Sequence, residues 1–216
     1  MASTIPVKYG DKVHIRNGYN NWRGGYLDSY DAHYTNGKYY VYTSKIDDRI
    51  GQHTGTWMIE SLTGKAIGSN VISSDIISLK NMYKNDGGYL SVMQPDPGPE
   101  WFGVATIDKG PVKLPNTARW HIFAEHPDLS VDTGSVHYGD VIRILSGYND
   151  STAGFLDVCG LAGVQGEVYG VFTALSSNRE LNSAVWMIYP ALDNLSDLNL
   201  NEALQDSLNY DSNLIL

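Results

Sequence analysis

The sequence predicts an all-β fold made of one unit repeated three times, and three observations carry that expectation. The first is composition. Among 216 residues there are 22 glycines, 15 tyrosines and 5 tryptophans, with only 18% charged, a balance that favours short strands and turns over a helical bundle. The second is self-similarity: GDKVHIRNGYNNWRGGYLDSY from Gly10, SDIISLKNMYKNDGGYLSV from Ser74 and GDVIRILSGYNDSTAGFLDV from Gly139 are copies of one segment. The third is period-two alternation in VHIRN, IISLKN and VIRIL, the pattern of a half-buried strand.

Asp11, Asp75 and Asp140 anchor the copies at offsets of 64 and 65 residues. Eight residues after each anchor stands a tyrosine, Tyr19, Tyr83 or Tyr148. An aromatic followed by leucine comes next, as Tyr26-Leu27, Tyr89-Leu90 and Phe155-Leu156. A β-rich run ending in threonine follows (YYVYT, WFGVAT, VYGVFT), and each copy closes on Trp-x-Ile at Trp57, Trp120 and Trp186. Each copy thus reads as four strands: the alternating segment, the GYLDSY-type segment, the threonine-ending run and Trp-x-Ile. Three copies over about 10–60, 61–123 and 124–190 make twelve strands between residues 7 and 190. Twelve short strands in threefold pseudo-symmetry form a β-trefoil, in which six close a barrel and three hairpins cap one end. A three-bladed or solenoid arrangement is the alternative.

The recurring residues are framework. Each copy must offer an equivalent wedge to a shared core, which accounts for the three tryptophans, for Ile59, Ile122 and Ile188, and for Leu27, Leu90 and Leu156. Gly25, Gly88 and Gly154 stand where a hairpin needs close backbone approach or positive φ. The anchor aspartates suit turn acceptors for nearby N–H groups.

Composition also excludes classes. A net charge of -9 without a Lys/Arg-rich run disfavours nucleic acid. No stretch reaches the ~18 apolar residues of a membrane span. The single Cys159 makes no internal disulfide and reads as a half-buried inert thiol. The start MASTIPVKYG lacks a secretory leader pattern, so the expectation is a cytoplasmic protein or one exported without a cleavable signal. His14, His33, His53, His121, His126 and His137 show no metal-ligand spacing, and no nucleophile elbow or phosphate loop is present. No enzymatic activity, metal or cofactor is expected.

Positions that differ between copies carry the functional reading. After the aromatic-leucine pair stand Asp28, Ser91 and Asp157. Fourteen residues after Asp28 is Tyr42, and fifteen after Asp157 is Phe172, both on the third strand. A carboxylate beside an aromatic face suits a sugar, whose hydroxyls the carboxylate accepts and whose C–H face the ring covers. The same aspartates could instead cap a hairpin. The pattern V-x-I … GYLDSY … YVYT … W-x-I resembles the ricin-type β-trefoil lectin domain. That resemblance implies a sugar-binding aspartate on the second strand and a stacking aromatic on the third, placing Asp28 with Tyr42 and Asp157 with Phe172, and leaving copy two degenerate at Ser91. The chain departs from the family's Gln-x-Trp, with Gly55, Ala118 and Ala184 two residues before tryptophan, and with Thr54, Thr117 and Ser183 in place of its asparagine.

Trp22 and Arg23 occur only in copy one, where the tryptophan either contacts a glycan or protein or folds back onto the barrel mouth. MQPDPGPEW (93–101) is unique to copy two and reads as a stiff exposed loop. Its Asp96 and Glu100 could bind a cation, but they lack EF-hand spacing. After Pro190 the tail holds five acidic residues, no basic ones, and leucines at 192, 195, 198, 204 and 208 spaced for one face of a marginal helix. It would dock on the barrel, pair with another chain, serve as an uncleaved export or partner-binding tag, or stay a partly disordered acidic end. The expected function is a non-enzymatic lectin with a glycan or glycoconjugate partner. The alternative is a protein-binding module of cytoskeletal, protease-inhibitor or toxin-associated kind, acting through loops and tail.

Overall fold

The computed structural model describes residues 5–30, 36–95, 102–110, 114–125 and 134–191. The tail beyond residue 191, Asp96, Glu100, His33 and His126 lie outside them. Copy one forms β1 (Lys12–Asn17), β2 (Tyr26–Tyr30), β3 (Tyr40–Ser44) and β4 (Trp57–Ser61). Copy two forms β5 (Ile76–Asn81), β6 (Gly88–Pro95), β7 (Phe102–Ile107) and β8 (Trp120–Glu125). Copy three forms β9 (Val141–Ser146), β10 (Phe155–Leu161), β11 (Glu167–Ala174) and β12 (Trp186–Pro190).

The pairing closes on itself. β1, β4, β5, β8, β9 and β12 pair in that order, and β12 returns to β1, giving a six-stranded antiparallel barrel. The hairpins β2–β3, β6–β7 and β10–β11 meet through β3–β7, β7–β11 and β11–β3 pairs, which form a triangular cap. Twelve strands in this arrangement are a β-trefoil.

The threefold relation extends to single hydrogen bonds. The indole Nε1 of Trp57, Trp120 and Trp186 donates to the carbonyl of Leu27, Leu90 and Leu156, at 2.9 Å in every copy. All six side chains are fully buried, so each indole fills core volume while its one donor stays satisfied. Asp11, Asp75 and Asp140 each accept the backbone N–H three residues before, at 2.8, 2.8 and 2.7 Å. The turn role expected of them is present. Tyr138 donates to Asp11 and Tyr9 to Asp75, so two anchors also tie copies together. Near the pseudo-axis Val7 N–H donates to Val136 O, Val136 N–H to Val71 O and Val71 N–H to Val7 O, each at 2.8 Å. These three buried valines form a closed ring of backbone bonds.

The loop between first and second strands is a left-handed turn in every copy. Asn20, Asn21 and Trp22 have φ of 48, 60 and 65°, Lys84 and Asn85 of 48 and 66°, and Asn149, Asp150 and Ser151 of 51, 54 and 64°. The Asn and Asp content suits this region, which short polar side chains tolerate best. Gly25, Gly88 and Gly154 end the turn at φ 88, 87 and 92°, where an added Cβ would sit 2.5–2.7 Å from a carbonyl oxygen of the partner strand. Both reasons for glycine hold there.

Candidate functional site

Strand register brings the sequence-derived pairs together. Asp28 lies directly opposite Tyr42 on β2–β3, and Asp157 opposite Phe172 on β10–β11, so each carboxylate and ring share one face of a hairpin. Ser91 stands opposite Ala105 on β6–β7. Tyr42 and Phe172 are half-buried.

The aspartates, however, do not face solvent. Asp28 and Asp157 are both 0% exposed, and each is held by an arginine from the connection to the fourth strand. Arg49 Nε lies 3.2 Å from Asp28 Oδ2, and its guanidinium donates to the Ser29 carbonyl. Arg179 spans both Asp157 oxygens at 3.3 and 3.4 Å and donates to the Val158 carbonyl at 2.9 Å. The expectation that these carboxylates offer oxygens to a ligand is therefore corrected: a buried charge needs a partner, and the arginine supplies it. The aspartates hold the arginines, and the arginines stand between them and solvent.

Copy one adds a third charge. Glu167, at the start of β11 in copy three, has a fully buried side chain with Oε1 2.7 Å from Arg49 Nε, although neither of its oxygens makes an aligned hydrogen bond. Burial, then the charge of Asp28, pushes the Glu167 carboxyl up to about 8 against the pull of Arg49. Burial likewise pushes Asp28 up to about 6, opposed by Thr54, Arg49 and Ser44. Burial raises Asp157 too, opposed by Arg179. Burial thus favours the protonated form of both carboxyls, and Arg49 opposes it in both. Gly166 makes room for the arginine stem, since a Cβ there would lie 2.9 Å from Arg49 Cδ.

Above this cluster is an aromatic ledge. Tyr40 and Tyr42 stack with ring centroids 5.8 Å apart and planes 5° apart, and Tyr30 meets Tyr42 edge-on at 5.9 Å. The Arg49 guanidinium sits 5.1 Å from the centre of the Tyr30 ring. All three tyrosines are half-buried. Copy three keeps only Phe172 of this trio, with Cys159 and Gly170 at the other two positions. Copy two has Met93, Ala105 and Gly103 there. Trp22 is half-buried in the left-handed turn, where its backbone N–H donates to Gly18 O and its carbonyl accepts from Arg16 Nε.

No family model and no curated protein sequence matches this chain. Solved structures do. A Caenorhabditis elegans protein of unknown function superposes with a TM-score of 0.65 at 15% identity, over 85% of this chain and 96% of its own. The SDF2-like protein from Arabidopsis thaliana gives 0.63 at 14%, over 85% and 94%. The S. cerevisiae protein O-mannosyltransferase Pmt1–Pmt2 complex, bound to the sugar donor, gives 0.65 at 15%, over 85% of this chain and 25% of that one. The likeness is one of fold. A ricin B-like lectin from Macrolepiota procera in complex with lactose superposes at only 0.47. What this chain binds is therefore argued from its own residues.

Arg49, Arg179, Glu167, Tyr30 and Tyr40 are the site residues that spacing alone missed. The arginines follow their aspartates by 21 and 22 residues and occur where the aspartates occur, a covariation readable from the sequence. Glu167 belongs to one copy only and acts across copies, so alignment of the repeats offers no trace of it.

Proposed function

We propose that this protein is a non-enzymatic carbohydrate-binding module whose principal site is the copy-one ledge of Tyr30, Tyr40 and Tyr42 beside Arg49. The tyrosine cluster carries the reading. Flat, half-buried rings on a rigid hairpin suit the C–H face of a pyranose, and their hydroxyl ends suit its hydroxyls. Arg49 spends its Nε on Asp28 and Glu167 and is nearly covered, which favours a neutral sugar over an anionic one. Phe172 beside Arg179 forms a smaller second site, and two sites on one chain raise avidity on clustered glycans. Asp28 and Asp157 act in both sites as anchors. A broad glycan array comparing the wild type with Tyr42→Ala tests the reading. Retained signal in that variant, or no glycan bound by the wild type at high protein concentration, sinks it.

A protein-binding role is favoured by one observation. Ile46 and Leu175, 54% and 65% exposed, lie just beyond the hairpins of copies one and three, and Ile50 and Leu181 stand exposed further along the same connections. Removal of residues 191–216 extends this second reading to the tail: loss of a partner or of self-association with the barrel intact would place the interaction there.

A further inference from the structure

We propose that Glu167 is a positioning residue for the copy-one ledge, and that a proton it holds at the seam between copies one and three keeps Arg49 against Tyr30. Its bearing on affinity rests on the reading of the ledge as a sugar site, to which it adds a means of regulation. Two carboxyls with fully buried side chains, Asp28 on β2 and Glu167 on β11, meet one guanidinium. Arg49 Nε carries a single hydrogen, and that hydrogen is aligned on Asp28 Oδ2 at 3.2 Å. Glu167 Oε1 lies nearer, at 2.7 Å, yet neither Glu167 oxygen has an aligned partner. Ionised there, Glu167 is a buried charge without a bond of its own. Protonated, it is neutral and leaves the aligned bond to Asp28. The proton therefore rests on Glu167.

Among the described residues, the charged groups that act on Glu167 are Asp28 from β2 and Arg49 from the connection after β3. β3 itself sets the hydroxyl residue Ser44 opposite Glu167 in the register. Asp28 in turn is acted on by Arg49 and by the hydroxyls of Thr54 and Ser44. Burial, then the charge of Asp28, pushes the Glu167 carboxyl up to about 8, so its proton leaves on the mildly alkaline side of neutrality. Two anions then share one cation, and the nearer oxygen takes the Nε–H. Arg49 turns from Asp28 towards β11 and draws its guanidinium off the Tyr30 ring, 5.1 Å away in the present arrangement. Tyr30 meets Tyr42 edge-on, so the change passes into the ledge. Sugar affinity is thus highest with Glu167 protonated and falls as pH rises. Copy three provides a comparison. Arg179 pairs there with buried Asp157 and with Glu180, whose side chain is 58% exposed.

The test follows the Arg49 Nε–H and the Tyr30 and Tyr42 ring resonances of the full labelled chain by NMR between pH 7 and pH 9, with no ligand present. In the wild type both sets should move along one titration curve, while Arg179 Nε–H holds still. In Glu167→Gln, which puts a neutral group of the same shape in place, they should keep their pH 7 positions throughout. A wild-type Arg49 signal that does not move overturns the positioning role, and the wild type alone decides this. So does a Glu167→Gln chain that titrates with the same midpoint, or an equal movement at Arg179. The second arm is calorimetry with D-galactose, D-mannose and N-acetyl-D-glucosamine. Affinity for a sugar that binds should fall at least threefold from pH 7 to pH 9 in the wild type and stay level in Glu167→Gln. Equal falls in both chains overturn the link between the proton and the ledge. No binding of any sugar at pH 7, with the NMR titration as expected, sinks the sugar reading and upholds the positioning of Arg49.

Discussion

In copy one, Arg49 reaches back from the connection after β3 to Asp28. In copy three, Arg179 reaches Asp157 from the same point of the same connection. Each arginine also bonds the carbonyl one residue beyond its aspartate. The two copies share this hairpin lock and differ in what surrounds it. Copy one borrows Glu167 from copy three and builds three tyrosines over the lock, while Arg179 pairs with Asp157 and the solvent-facing Glu180. The lock is therefore framework that two copies keep. The ledge is an addition that one copy made on top of it.

The largest effect expected from breaking this comparison is on stability. Arg49→Ala strands two buried carboxyls and should cost about 3 kcal/mol, whereas Arg179→Ala strands one and should cost less. Urea denaturation of both variants checks the order, and a larger loss for Arg179→Ala would show that Glu167 contributes nothing. Next in size is binding: Tyr42→Ala should weaken glycan affinity about tenfold, or ~1.4 kcal/mol, and Phe172→Ala by a smaller factor. Equal losses by calorimetry on the same glycan would make the two hairpins equivalent sites.

Acidity offers a finer probe. Burial makes the fold hold the Asp28 and Glu167 protons more tightly than the unfolded chain does. Their contribution to stability is therefore full below the unfolded carboxylate pKa values and is lost as pH rises through about 6 for Asp28 and about 8 for Glu167. Glu167→Gln should flatten the alkaline part of this decline, by on the order of 1 kcal/mol between pH 6 and pH 9. Unfolding free energies of wild type and variant at those two pH values decide it, and parallel curves would mean that Glu167 does not titrate there. The smallest effect belongs to the exposed aliphatics. Ile46→Ser and Leu175→Ser should each change stability by no more than about 0.5 kcal/mol. A change in partner capture or oligomeric state without a change in Tm would assign them to an interface.

The sequence made the fold legible because threefold repetition tests every assignment three times. Trp57, Trp120 and Trp186, the anchor aspartates and the three positive-φ glycines could be read as framework before any contact was known, and the structure gives each a partner or a constraint. The site was legible only in part. Register follows from strand pairing, so Asp28 with Tyr42 and Asp157 with Phe172 were accessible from spacing. Burial was not: whether a strand residue meets solvent depends on what folds over it, here arginines more than twenty residues away. Glu167 was the hardest to reach, because an interaction between unlike copies has no counterpart to align with.

The ring of Val7, Val71 and Val136 has a consequence for how the chain folds. Each copy gives one bond to a neighbour and takes one from the other, so any two copies hold one link of three and leave the remaining donors and acceptors to water. Closure must wait until residue 136 meets residue 7, which is 129 positions away (136 minus 7). Such long-range closure predicts slow folding in one cooperative step. A single copy, or a tandem of two, should not persist as a folded fragment.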